Sequence, residues 1–213
     1  MDQKLNTVSP GKSLPLTTPE NVGLSSSRVC EFLLRCFERG MRGFMLYRKG
    51  YVFAEAHPFP FEAEDKKQVY SVSKSWTATA VGLAVNEGLL KLDDCVVSFF
   101  PNEIPDEPSA FLREMTVRHL LTMTSGHAED SNVDNPERAF LAIPIKYKPG
   151  SRFVYDNGAT YMLSSILASV TGESLLDYLR PRLLEPLGIS GISWARSPLG
   201  VCGGGWGLYV STE

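Results

Sequence analysis

The stretch QVYSVSKSWTATAVGLAVNEGLL, residues 68–90, constrains the fold of this chain more than any other. From Ser71 to about Glu87 it has the pattern of a helix that is apolar on almost every face, and Gly88 ends it. A helix apolar all round belongs inside a protein, with other elements packed around it. The first turn breaks that rule, because it carries Ser71 and, three positions on, Lys74.

Side chains three apart on a helix share a face and come within hydrogen-bonding reach. A serine hydroxyl is a poor nucleophile until a neighbouring base takes its proton, and a lysine serves where burial keeps it neutral. The start of a helix helps twice: its dipole disfavours an ammonium, and its N–H groups face a developing oxyanion. The spacing alone is weak evidence, since Ser9 and Lys12 in SPGK repeat it in a lead-in with no helix behind it. A capping serine followed by a solvent-facing lysine is the competing explanation for Ser71 and Lys74.

FVYDNGA adds a second element by placing Tyr155 and Asn157 two apart in a loop, where an extended backbone sends both side chains to one side. A phenol beside an ammonium loses its proton more easily and can carry it from a nucleophile to a leaving group. Asn157 is then available to donate to a substrate carbonyl and to hold the lysine. Taken alone, Asn-Gly is a common turn signal and the tyrosine an ordinary half-buried one.

Composition excludes several function classes. The chain has 213 residues, 43% hydrophobic and 21% charged, enough for one large globular domain or two small ones. A net charge of −3 with scattered Lys and Arg leaves no basic stripe for nucleic acid. The polar N-terminus lacks the apolar core of a signal peptide and no run reaches the length of a membrane span, so a cytoplasmic protein without a membrane partner is expected. Cys30, Cys36, Cys95 and Cys202 show no zinc-type pairing and are expected as reduced thiols, Cys36 falling in the helical series Val29, Phe32, Leu33, Cys36. His127 and Asp130 in GHAED resemble a ligand pair, but without supporting ligands they are set aside, and no metal or other cofactor is expected.

Periodicity and punctuation give the rest of the organisation. A lead-in over 1–24 precedes a helix capped at Ser25 to Ser27 and stopped by Gly40, then a hairpin of strands 44–47 and 51–56 around Arg48-Lys49-Gly50. After the 71–87 helix come an extended connection, a helix from about Thr116 to Gly126, a polar stretch over 127–137, a Gly/Pro-punctuated loop over 148–159, and two helical segments over 160–172 and 174–188. A lone two-stranded hairpin is marginal in water, and Ser211-Thr212-Glu213 has the form of a helix cap, so the polypeptide is expected to continue past Glu213 and complete the sheet.

Taken in order, SVSK opening an apolar helix, VRHLLTMTSGH, KPGSRFVYDNGATYMLSSIL and LLEPLGI resemble the serine β-lactamase and penicillin-binding-protein superfamily, in its class C-like, esterase-related branch, from about Gly43 to Glu213. The resemblance implies an α+β fold of the β-lactamase/transpeptidase type, with an antiparallel sheet flanked by helices and a mainly helical subdomain. On that scheme residues 1–68 begin the α/β part, 69–190 form the helical part and 191–213 return toward further strands. It implies Ser71 as the acylated nucleophile, Lys74 as its activating lysine, and Tyr155 and Asn157 as the Tyr-x-Asn pair of a serine hydrolase acting on a small-molecule ester, amide or β-lactam. GGGWGLYVSTE is similar to the block before the family's next helix. Met123 and His127 stand where many relatives carry His and Leu, which marks a subgroup. The family's third motif, Lys- or His-x-Gly on a strand, has no match and is expected beyond Glu213. That strand supplies one oxyanion donor, and losing such a donor costs about a hundred- to a thousandfold in rate, so the chain alone is expected to be an incomplete catalyst. A ligand-binding protein on the same scaffold, acylated slowly or not at all, is the alternative, and a purely structural helical domain a second one. Substrate identity and oligomeric state are open.

Overall fold

The computed structural model describes residues 14–131 and 136–212. Ser9 and Lys12, the remainder of the first thirteen positions, residues 132–135 of the polar stretch and Glu213 lie outside them. In chain order the elements are α1 (Ser26–Glu38), β1 (Phe44–Arg48), β2 (Tyr51–Ala56), β3 (Lys67–Gln68), α2 (Ser73–Asn86), α3 (Ala110–Glu114), α4 (Val117–Leu121), α5 (Pro136–Ala142), α6 (Asn157–Thr171), α7 (Leu175–Leu179), α8 (Glu185–Leu187), β4 (Ser193–Trp194) and β5 (Leu208–Val210). Helices and antiparallel strands mix as an α+β fold. They fall into two compact units: Met1–Gln68 with Arg182–Ile192 and Tyr209–Glu213, and Val69–Pro181 with Ser193–Leu208. Among the described residues no helix is long and apolar enough to cross a membrane.

In the first unit β1 and β2 pair antiparallel from Phe44↔Ala56 to Arg48↔Tyr51, with a bulge between Leu46 and Tyr47. Lys49 at φ 54° and Gly50 at φ 87° make the turn, the two successive positive φ values that match the twist of a tight hairpin. The hairpin is not left alone: Val52 exchanges backbone hydrogen bonds with Pro15 and Thr17 of the lead-in, both at 2.9 Å. The rings of Phe32 and Phe37 on α1 lie 5.9 and 5.7 Å from that of Phe44. β3 pairs antiparallel with β5 through Lys67↔Val210 and Gln68↔Tyr209, so the segment expected to lead into a helix cap is a strand at its start.

The second unit is a helical core built around α6, not around α2. Ten successive residues of α6, from Gly158 to Leu167, are buried, and α2, α4, α5 and α7 all pack on it. α2 buries one stripe, Ser73, Thr77, Ala80, Val81 and Ala84, and exposes Ser75, Ala78, Thr79 and Gly82. The sequence expectation fails here because small residues such as Ala and Gly are tolerated on a surface as readily as in a core, and the pattern cannot separate the two. α5 holds to α6 through buried Glu137, which accepts hydrogen bonds from the Tyr161 hydroxyl at 3.2 Å and Ser165 Oγ at 2.5 Å. Burial pushes the Tyr161 phenol up to about 12.

Other boundaries also differ. The helix expected from 116 to 126 ends at Leu121, because Met123 at φ 54° turns the chain so that the carbonyls of Met123, Thr124 and Gly126 accept the N–H groups of Val154, Gly150 and Tyr147. α3 and α5 lie in segments read as connection and polar stretch. The segment 174–188 is interrupted by a π-helical turn at Arg180–Leu184, which contains Pro181, a residue with no N–H for the helical ladder.

Candidate active site

The site lies within the helical unit, where the start of α2, the loop before α6 and the loop before β5 converge. Ser71 occupies a single 3-10 turn, Tyr70–Val72, just ahead of α2. Tyr70 takes φ 45°, a left-handed conformation that is strained for a large side chain. The turn is held from below by Ser73, which is fully buried: its Oγ donates to the Tyr70 carbonyl at 2.5 Å and accepts from the Leu208 N–H at 3.4 Å. The Val69 N–H donates to the Leu208 carbonyl at 3.0 Å, so the turn carrying Ser71 is fixed to the strand end on both sides.

Lys74 Nζ donates to Ser71 Oγ at 3.3 Å, to Asn157 Oδ1 at 2.7 Å and to the Gly205 carbonyl at 2.8 Å. Three acceptors match the three N–H bonds of an ammonium group. Nζ also lies 4.9 Å from the centre of the Tyr155 ring. The Tyr155 hydroxyl and Ser71 Oγ are 2.7 Å apart. Lys74 first, and then the Ser71 hydroxyl, hold the Tyr155 phenol below the usual phenol range, while burial and the charge of Asp130 act in the opposite direction.

The backbone explains why the lysine finds these partners. Gly204 takes φ 63°, and a Cβ there would stand 2.6 Å from the Thr160 carbonyl. Only glycine lets this loop lie on α6 and present the next carbonyl to Nζ. The Gly204 carbonyl in turn accepts from Thr77 Oγ1 at 2.8 Å, one turn down α2 from Lys74. On the other side, Asp156 caps α6 by accepting from the Ala159 N–H at 3.2 Å, which sets the chain direction between Tyr155 and Asn157.

The structure therefore brings together all four side chains singled out from the sequence, Ser71, Lys74, Tyr155 and Asn157. Their setting differs from expectation in two ways. Ser71 is exposed and Lys74 only half-buried, so the lysine is ordered by hydrogen bonds more than by an apolar wall. Asn157 is the first residue of a helix and not part of an extended loop; Tyr155 and Asn157 converge on Lys74 because the Asp156 cap turns the chain between them.

Residues that sequence reasoning did not assign to the site are Gly205, whose glycine run was the available signal, and Asp130. The sequence offers Asp130 only as a metal partner of His127. The two are held apart in function: Asp130 accepts from Asn157, whereas His127 is fully buried with Nδ1 3.2 Å from Asp156 Oδ2. Among the described residues no group of three or more His, Cys, Asp or Glu is arranged to hold a metal ion.

Known proteins resemble this chain in sequence and in fold. The chain is 28% identical over 162 residues to lovastatin esterase of Penicillium rubens, an alignment covering 62% of this chain and 40% of the esterase. Its fold is similar to that of the octameric penicillin-binding protein homologue from Pyrococcus abyssi, with TM-score 0.69, 24% identity, and coverage of 89% of this chain and 54% of that one. It is also similar to EstCE1, a hydrolase with promiscuous acyltransferase activity, with TM-score 0.71, 19% identity, and coverage of 87% and 69%. The chain thus spans well under two thirds of the esterase and about half of the archaeal homologue. The sequence matches the Beta-lactamase family over residues 41–208, which take in every contact of the site just described, and the chain belongs to that family.

Proposed function

We propose that this protein is a serine hydrolase that cleaves an ester or amide bond through an acyl-enzyme on Ser71, with Tyr155 moving the protons and Lys74 stabilising its phenolate. The observation that carries the reading is the pair of contacts on one oxygen, Tyr155 OH at 2.7 Å and Lys74 Nζ at 3.3 Å from Ser71 Oγ. Geometry within hydrogen-bond reach is the first requirement of a general base, and a lowered phenol pKa is the second.

In the first step the Tyr155 phenolate takes the Ser71 proton as Oγ bonds to the substrate carbonyl carbon, and the carbonyl electron pair becomes an oxyanion. The Ser71 N–H, in the turn just ahead of α2, is one donor for that charge. Collapse of the tetrahedral species breaks the bond to the leaving group, which receives the proton from Tyr155. Water then attacks the acyl-enzyme, gives its proton to Tyr155, and Ser71 Oγ recovers one as the acid departs. Lys74, kept in place by Asn157 and the Gly205 carbonyl, stabilises the phenolate beside it.

The esterase among the relatives supports short-chain nitrophenyl esters as the first substrates to test, followed by small amides and a chromogenic β-lactam. A fluorophosphonate probe should label the purified protein rapidly, and labelling should vanish in Ser71→Ala. Tyr155→Phe should slow acylation by about a hundred- to ten-thousandfold. Slow stoichiometric labelling would support the ligand-binding alternative, and labelling that persists in Ser71→Ala would remove Ser71 from its role.

A further inference from the structure

We propose that Asp130 is a positioning residue that fixes the orientation of the Asn157 side-chain amide and, through it, the place of Lys74 beside Ser71. This rests on the reading of Ser71, Lys74 and Tyr155 given above. The two ends of a side-chain amide are nearly equal in shape, and their hydrogen-bond partners decide which end points where. Asp130 holds Asn157 twice: Oδ1 accepts from the backbone N–H at 2.8 Å, and Oδ2 accepts from Nδ2 at 2.6 Å. An ionised carboxylate can only accept, so it selects the amide's NH₂ end and turns Oδ1 toward Lys74 Nζ, 2.7 Å away. With the amide reversed, an oxygen would face the carboxylate and an NH₂ would face the lysine's N–H bonds. Both contacts would be lost at once.

The carboxylate has a second effect on the same centre. The charged and hydrogen-bonding groups that act on the Tyr155 phenol are Lys74 and Ser71, which lower its pKa, and Asp130, which raises it. Asp130 thus works against the lysine at the phenol while securing the lysine through Asn157. A residue that merely closed the first turn of α6 would do neither, and this separates the proposal from ordinary helix capping.

The exposed position of Asp130 lets the isosteric Asp130→Asn be made without disturbing the core. Tyrosine labelled with ¹³C at Cζ, assigned with Tyr155→Phe, reports the Tyr155 titration by NMR whether or not the protein turns over an ester. Asp130→Asn should titrate Tyr155 at higher pH than wild type, because the loosened Lys74 contact, the largest influence on the phenol, outweighs the lost charge of Asp130; Asp130→Glu, which restores the carboxylate acceptor, should return it toward the wild-type value. On a nitrophenyl ester Asp130→Asn should lose about ten- to a hundredfold in kcat with KM nearly unchanged, as expected when reacting groups shift by a fraction of an ångström. An unmoved or lowered Tyr155 titration, or an unchanged kcat in Asp130→Asn, overturns the proposal. Hydrolysis that survives Ser71→Ala would sink the underlying reading instead, and the NMR titration would still decide the case of Asp130.

Discussion

Replacing Asp156 by alanine should cost the helical unit about 3–5 kcal/mol. The side chain is completely buried and accepts four hydrogen bonds: from His127 Nδ1 at 3.2 Å, Ser131 Oγ at 2.6 Å, the Ser131 N–H at 3.1 Å and the Ala159 N–H at 3.2 Å. Loss of a helix N-cap alone costs about 1 kcal/mol. Each buried donor left without an acceptor adds about 1–3 kcal/mol, and both His127 and Ser131 are buried. Water entering the vacated space recovers part of that, and the expected drop in melting temperature is on the order of 10 °C. Urea unfolding followed by tryptophan fluorescence reads the right unit, because Trp76, Trp194 and Trp206 all belong to it. Burial would raise the Asp156 carboxyl, but hydrogen bonds from His127, Ser131 and Ala159 outweigh it and hold the pKa below the usual value. A depressed folded pKa contributes stability that is present above the unfolded value, near pH 4, and lost as the pH falls through the folded one. The gap between wild type and Asp156→Ala should therefore be full at pH 7 and narrow in acid. A loss below about 1 kcal/mol at pH 7, or a gap that does not narrow below about pH 4, would refute this account of the network.

Lys74→Met removes the cation that lowers the Tyr155 phenol, so the Tyr155 titration and the rising limb of the pH–rate profile should both move to higher pH; a limb that stays in place would contradict Tyr155 as the base. Gly204→Ala combines a left-handed φ of 63° with a Cβ 2.6 Å from the Thr160 carbonyl and should cost clearly more than Gly172→Ala, where φ is 71° but nothing lies within 4 Å. The second change should cost only the left-handed penalty of about 1–2 kcal/mol, and equal melting temperatures for the two would remove the argument for close approach.

Much of the site was legible because its chemistry depends on short-range spacing. Ser71 and Lys74 are one helical turn apart, and Tyr155 and Asn157 straddle a single residue, so the partners within each pair are neighbours in any plausible local structure. The hairpin was equally readable, since alternating strands around Lys49-Gly50 carry their own turn chemistry. What escaped depends on contacts between distant segments. Asp130 lies 27 positions from the residue it holds, and nothing near it in sequence distinguishes it from any other loop carboxylate. The rank of α2 and α6 in the core was likewise invisible, because whether Ala78 or Ala159 meets another helix is decided by packing and not by hydrophobicity. The premature end of α4 had its cause more than twenty residues downstream, in the loop whose N–H groups needed the carbonyls of Met123, Thr124 and Gly126.

One of the three oxygens that grip the lysine belongs to the main chain. A carbonyl has no side chain to exchange, so ordinary substitution at position 205 changes the space around the amine, where a new Cβ would stand 3.0 Å from Nζ, yet leaves the acceptor itself in place. The consequence is a division of vulnerability. The lysine's anchorage to the glycine loop can drift only through the loop's path, whereas its anchorage to Asn157 can be abolished by a single codon.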